Sequence, residues 1–255
     1  MKRLDFYGNK LLFCTKEEFD NLTVEQMEGV DTAFCEGVDT DFCVKPKPNI
    51  KFHDEIKRVQ IAFLISEERA FNVELDLMLA YKNKDLSHAS LCLNACFSFL
   101  KKLYENDLLG LYSKKGKIQG IDFAIEGKTI LLITDRNNVK TITTLPRATL
   151  YDIGNQHWVC EKGNNHNIPK DKSVNVHEYY DVILNKNSVE CTVDFFEKGV
   201  GKTQACGSGA FCVGMHLFKI HRKEVVVKTE NGDKYFVNDK TISVEIPKNL
   251  DFQGV

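Results

Sequence analysis

At 255 residues, with 43% hydrophobic residues, 27% charged residues and only 5 prolines, the chain has the composition of a folded globular protein and not of a disordered one. Its 34 Lys and Arg against 36 Asp and Glu leave a formal net charge of -2, which argues against nucleic acid and anionic membranes as partners and points to a small molecule. No stretch approaches the roughly 18 apolar residues of a membrane span, and the N-terminal apolar run is broken at Lys10, so neither a signal peptide nor a membrane segment is expected and the protein is read as cytoplasmic.

In chain order, the first periodic segment predicts a helix over Lys16 to Glu28. Apolar runs at Arg58 to Ile65 and Val73 to Leu79 read as strands, followed by a helix over Ala95 to Glu105 with apolar residues at three- and four-residue spacing. Strands follow at Ile121 to Ile125, Ile130 to Thr134 and Val189 to Phe196, then a helix over Gly209 to His221. The last strands, Val225 to Lys228, Lys234 to Val237 and Ile242 to Ile246, are separated by the turn residues Asn231-Gly232-Asp233 and Asn238-Asp239.

The chain repeats itself. Cys92-Leu93-Asn94-Ala95 opens one helix and Cys206-Gly207-Ser208-Gly209 opens another, at an offset a little under half the chain, and Phe97, Phe99, Leu103 and Tyr104 keep the phase of Phe211, Val213, Leu217 and Phe218. Gly8-Asn9 and Gly154-Asn155 form a second echo, one in each half. Two similar domains are expected, joined near Leu108 to Lys117, where Gly110 and Gly116 bracket a polar stretch.

The 9 cysteines fall at positions 14, 35, 43, 92, 96, 160, 191, 206 and 212, with no C-x-x-C among them, which argues against a zinc knuckle. In a reducing compartment most should be small buried hydrophobes. Cys92 and Cys206 are set apart by position: each precedes a residue of N-cap type, Asn94 or Ser208, at the head of an apolar helix. There the unpaired N–H groups and the helix dipole are expected to lower a thiol's pKa from about 8.5. If the two helix heads face each other, one thiolate can remove an α-proton while the opposite thiol returns one from the other side, with N–H groups holding a carboxylate between them. Cys96, one turn past Cys92, has no histidine or carboxylate at ligand spacing, so core packing accounts for it and for Cys212, and no metal site is expected.

The run Glu197-Lys198-Gly199-Val200-Gly201-Lys202-Thr203-Gln204-Ala205-Cys206-Gly207-Ser208-Gly209-Ala210 closely resembles the second-cysteine signature of the diaminopimelate epimerase family. Asn83, Asp85, Ser87, Cys92 and Asn94 match its first-cysteine signature in register, with Leu86, Leu93 and Ala95 where the family usually has glycine. Gly8-Asn9 and Gly154-Asn155-Gln156-His157 also resemble family segments, Gln156 replacing a proline, so the likeness spans nearly the whole chain.

The resemblance implies an α+β fold of two pseudo-symmetric mixed α/β domains, each a strongly curved sheet around a central helix. Residues 1–112 would form the N-terminal epimerase half, with a strand from 247–255 returning to it, and 113–246 the C-terminal half. It further implies an isomerase that needs no cofactor and inverts the α-carbon of an amino acid, LL-diaminopimelate to the meso form in lysine biosynthesis. By position, Cys92 and Cys206 would be the acid/base pair. Asn9, Asn83, Asn155, Glu197 and Lys198 would line the substrate pocket, while Asn94, Gly207 and Ser208 contact the carboxylate. A homodimer is compatible with this reading.

The departures cluster where the substrate's far end is read. Lys198 replaces an arginine, keeping the charge but losing the bidentate fork, and Phe42 stands where a glutamine is expected. A further pocket asparagine falls either at Tyr179, by ungapped counting, or at Asn175, by the local Val174-Asn175-Val176 motif. Racemisation of another amino acid, or binding of one without catalysis, are the alternatives. Gly201-Lys202-Thr203 resembles the end of a phosphate-binding loop, but Phe196 occupies the position of that motif's first glycine. His157 is read as a hydrogen-bonding structural residue.

Overall fold

Alternating burial along β-rich stretches dominates the computed structural model of the chain, which describes residues 2–14, 16–28, 30, 32–36, 75–77, 79–83, 88–89, 91–105, 115–133, 139–164, 168, 174–245 and 253–254. Strands β1 (Lys2–Phe6) and β2 (Asn9–Cys14) pair as a hairpin. Its two loop residues, Tyr7 and Gly8, both have positive φ, 56° and 82°, as a two-residue turn matched to strand twist requires. Gly8 is doubly constrained, because a Cβ there would lie 1.9 Å from Gln204 Oε1.

Helix α1 (Lys16–Asp20) follows, then β3 (Thr32–Glu36) parallel to β2. The single helix expected from Lys16 to Glu28 ends at Asp20 for a local reason. Thr23 N–H donates to Gln26 Oε1 at 2.8 Å and Gln26 N–H donates to Thr23 Oγ1 at 3.3 Å, a reciprocal capping arrangement that starts a new turn. Strands β4 (Leu75–Leu77), β5 (Leu79–Asn83) and β6 (His88–Ala89) lead into helix α2 (Leu93–Glu105). The expected strand over Arg58 to Ile65 lies outside the described residues.

The second half of the chain supplies β7 (Lys115–Ile118), β8 (Ile121–Glu126), β9 (Thr129–Ile133), β10 (Lys140–Leu145), β11 (Ala148–Asp152), β12 (Gln156–Glu161), β13 (Asn175–Leu184), β14 (Ser188–Glu197) and β15 (Gly201–Thr203). Helix α3 (Gly207–His221) precedes β16 (Glu224–Lys228), β17 (Lys234–Val237) and β18 (Thr241–Glu245), and β19 (Gln253–Gly254) pairs antiparallel with β1.

Among the described residues the smaller sheet runs β19-β1-β2-β3-β5-β6 and the larger runs β10-β11-β12-β13-β14-β16-β17-β18-β9-β8-β7-β4, with β15 folded back on β14. Strand β4, from the first half of the sequence, pairs in parallel with β7 and so belongs to the larger sheet. Parallel pairing of β14 with β16 requires a crossover, and α3 makes it. That helix buries 10 of its 15 residues and packs on β12, β13, β14, β16 and β17. The fit is tight: a Cβ on Gly214 would lie 2.4 Å from Val237 Cβ. Each large side chain that α3 buries, such as Phe211 or Leu217, contributes about 1.5–3 kcal/mol.

One continuous core joins α2, α3 and both sheets, running from Phe6 and Phe97 through Tyr81 and Phe123 to Phe195, Phe211 and Tyr235. A satellite cluster of Leu12, Cys14, Phe19, Leu22, Met27 and Val30 seats α1. Among the described residues no helix is long and apolar enough to cross a membrane.

Candidate active site

The two helix heads are built alike. Before α3, strand β14 ends at Glu197, turns through Gly199 and Gly201 at φ 80° and 95°, and returns as β15. The chain then reaches Cys206 in extended conformation (φ -142°, ψ 109°), and there the helix begins. Cys206 is itself the N-cap. Its Sγ accepts from Gly209 N–H at 3.3 Å and its carbonyl accepts from Ala210 N–H at 2.8 Å. Ser208, expected as the cap, is instead inside the first turn. Cys92 occupies the equivalent place before α2, and its carbonyl accepts from Cys96 N–H at 3.1 Å. Asn94 is likewise the second residue of its helix and not the cap.

The helix heads abut. A Cβ on Gly207 would lie 2.7 Å from Asn94 Oδ1, 3.0 Å from Leu93 Cβ and 3.2 Å from Asn94 N, so only glycine permits the approach. Asn94 Nδ2 donates to Ala205 O at 3.4 Å, and Tyr235 on β17 donates from its hydroxyl to Asn94 Oδ1 at 2.8 Å. Leu93 and Ala95, which replace glycines of the resembled family, point into the core, and neither has positive φ.

Other expected site residues meet here. Asn155 lies in the bend between β11 and β12, where Gly154 has φ 103° and takes a bond from its N–H to Asp152 Oδ1. Asn155 Nδ2 donates to Leu91 O at 2.9 Å and so ties that bend to the residue before Cys92. Glu197 Oε1 accepts from Thr203 Oγ1 at 2.7 Å. The backbone N–H of Lys198 donates to Asn175 Oδ1 at 2.9 Å, and Asn175 Nδ2 donates to Gln156 O at 2.8 Å, whereas the Lys198 side chain is exposed. Asn175 therefore bridges the two loops, while Tyr179 sits farther along β13 against His216. Asn9 opens β2 and Asn83 closes β5, but their side chains lie outside the described residues, as do Asp85, Leu86, Ser87 and Phe42. Lys202 is no phosphate-loop lysine: it sits on β15, paired with Asp194 at 3.5 Å and Glu230 at 3.0 Å.

Electrostatics reverse one expectation. Burial, then the Glu197 carboxylate beside it, push the Cys206 thiol well above its ordinary pKa, and Cys92 adds to the effect, while the Gly209 N–H opposes it. A single helix N–H does not outweigh desolvation and a neighbouring negative charge. Cys206 is thus held protonated beside the Glu197 carboxylate.

Sequence reasoning missed His177. Strands β12 and β13 run parallel with His157 opposite Asn175, which brings His177 Nε2 within 2.8 Å of His157 Nδ1. The face of the His177 ring covers Gly209, where a Cβ would lie 2.4 Å from Cε1. Burial lowers the His157 pKa from 6.5 to about 4 and, with His157 alongside, pushes His177 well below its usual value, so both rings are neutral. The available signal was a polar residue two positions after Asn175 on the same face of a strand.

No protein-family model matches the sequence, and no curated protein matches it. Among solved structures, the chain is similar to a phenazine biosynthesis protein of the PhzF family from Enterococcus faecalis, at 12% identity and a TM-score of 0.54, over 98% of this chain and 97% of that one. It is also similar to a protein of Clostridium difficile strain 630 assigned to phenazine biosynthesis PhzC/PhzF, at 10% identity and a TM-score of 0.53, over 100% of this chain and 97% of that one. PhzF-family proteins share the diaminopimelate epimerase-like fold, and the mixed, sheet-rich architecture described above is of that kind.

Proposed function

We propose that this chain is an isomerase that inverts the α-carbon of an amino acid without a cofactor, using Cys92 and Cys206 as acid and base. The observation that carries the reading is the meeting of two helix heads, each preceded by a cysteine, at Gly207 and Asn94. On this reading the two halves of the chain are pseudo-symmetric and the substrate lies between their helix heads.

A substrate carboxylate is held by the N–H groups that a first helical turn leaves unpaired, those of Gly207 and Ser208 on one side and of Leu93 and Asn94 on the other. Abstraction of the α-proton puts negative charge into that carboxylate, where the same N–H groups stabilise it. In one direction Cys92, as thiolate, takes the α-proton while Cys206, held protonated, supplies a proton to the opposite face. The other direction starts from the state this leaves, with Cys206 as thiolate and Cys92 protonated, so that Cys206 takes the α-proton and Cys92 supplies one to the opposite face. Asn155 fixes the backbone before Cys92, and Asn175 holds the Glu197–Lys198 turn.

Diaminopimelate is the first substrate to test, because the Glu197 to Ala210 run closely resembles the second-cysteine signature of its epimerase. Lys198, where that family has arginine, favours as a second reading an amino acid with a different side-chain end. Incubation of the reduced protein with diaminopimelate and a panel of other amino acids in deuterium oxide, followed by NMR of the α-position, tests both. Deuterium should enter at the α-carbon of one of them together with inversion. Binding of an amino acid with no exchange at any α-carbon would show a binding protein instead.

A further inference from the structure

The proposed reaction does not call on two buried histidines that converge beside α3 with one of its thiols, Cys206. One ring nitrogen of His157, one of His177 and Cys206 Sγ all lie within 4.8 Å of one another. They come from β12, β13 and the cap of α3, and all three are buried, His177 completely. The rings share one N···N contact of 2.8 Å, which leaves one nitrogen of each ring outside it. Those two atoms, His157 Nε2 and His177 Nδ1, have no hydrogen-bond partner among the described residues. Buried polar atoms left in this way are exceptions that call for an explanation.

Two imidazoles and a thiolate form the donor set of a borderline-soft divalent cation, with a fourth, open position. Zinc bonds of roughly 2.0–2.3 Å separate tetrahedral donor atoms by roughly 3.3–3.8 Å, so side-chain rotation with a contraction of about 1 Å closes the cluster on an ion. The geometry points to a zinc-class cation site formed by His157, His177 and Cys206. On binding, the S–H bond of Cys206 breaks, its proton goes to solvent and the sulfur's electron pair goes to the metal. Each imidazole gives a lone pair and stays neutral, so one proton leaves for each cation bound. The site stands on geometry alone. Its consequence, reversible arrest of turnover by capture of Cys206, rests on the reaction proposed above.

Cobalt(II) titration of the reduced, chelator-treated chain tests the site without reference to activity. A thiolate-to-cobalt charge-transfer band should grow to one equivalent with release of one proton, and zinc should displace it. Cys206→Ser should abolish the band, and His177→Phe should weaken binding by at least about tenfold. Cys92→Ser should leave band and affinity unchanged. Circular dichroism identifies a variant that fails to fold, and His157→Gln then serves as the second ligand deletion, with the same loss expected. Absence of the band in the folded wild type, its persistence in Cys206→Ser, or dependence on Cys92 with indifference to both histidines overturns the proposal. Cobalt binding without α-proton exchange would refute the reaction and leave the site. Exchange that stoichiometric zinc suppresses and chelator restores supports both, whereas exchange with no cobalt band removes the site alone.

Discussion

Tyr235→Phe removes a single oxygen from the junction of the two helix heads. That hydroxyl is the donor to Asn94 Oδ1 at 2.8 Å; Tyr235 is fully buried and Asn94 is 1% exposed. The other bond of the Asn94 amide, to Ala205 O, is long at 3.4 Å, so the loss leaves a poorly held side chain with an acceptor that water does not reach. An orphaned buried acceptor costs about 1–3 kcal/mol. In a domain of this size each kcal/mol lowers Tm by about 2–4 °C, so a fall of about 2–12 °C is expected. Urea unfolding followed by circular dichroism should show a lower midpoint at unchanged slope. A double-mutant cycle with Asn94→Ala should give a coupling of about 0.5–3 kcal/mol. Stability equal to wild type within about 0.3 kcal/mol, or strict additivity in the cycle, would refute the reasoning.

Gly209→Ala drives a Cβ to within 2.4 Å of a His177 ring pinned by His157 and packed 5.5 Å from Phe195. The overpacking cost of about 1–3 kcal/mol should exceed the helix-propensity gain of up to about 1 kcal/mol, and a variant more stable than wild type in urea would contradict this packing. Asn155→Ala frees the backbone before Cys92 and should slow α-proton exchange by about 10- to 100-fold with a much smaller effect on stability; an unchanged rate would remove Asn155 from the site. His157, His177 and His216 all have lowered pKa values, chiefly through burial. Below about pH 6.5 the unfolded chain takes up protons that the folded one refuses, so stability should fall with pH by up to about 1.4 kcal/mol per pH unit for each histidine. For His157 the fall extends down to about pH 4. Equal unfolding free energies at pH 7 and pH 5 would contradict the assignment.

What the sequence made legible was the pair of helix heads. Cys92 and Cys206 share a local pattern, and each accepts from the N–H four residues on, the same bond in both halves. The turn at Asn231-Gly232-Asp233 was equally readable, with Gly232 at φ 86° between β16 and β17. Less was visible between residues 139 and 184. Strand β10 is exposed at every position, so it carries no alternation to detect, and β13 changes from buried to exposed along its length. The helix from Lys16 was drawn too long because apolar spacing continues past the point where Thr23 and Gln26 cap a new turn. The thiol's direction of shift was misjudged because burial and Glu197 arise from β14 and the core, which helix position alone does not reveal. His177 depended on the parallel register of β12 and β13, a pairing set by tertiary structure.

The claim that two sulfurs share the inversion is tested most directly by comparing wild type, Cys92→Ala and Cys206→Ala in deuterium oxide, on whichever amino acid of the panel the wild type exchanges, with circular dichroism confirming that each variant folds. Wild type should invert the α-carbon and place solvent hydrogen there, and each alanine variant should lose inversion. Inversion at near wild-type rate by either folded variant would contradict the account.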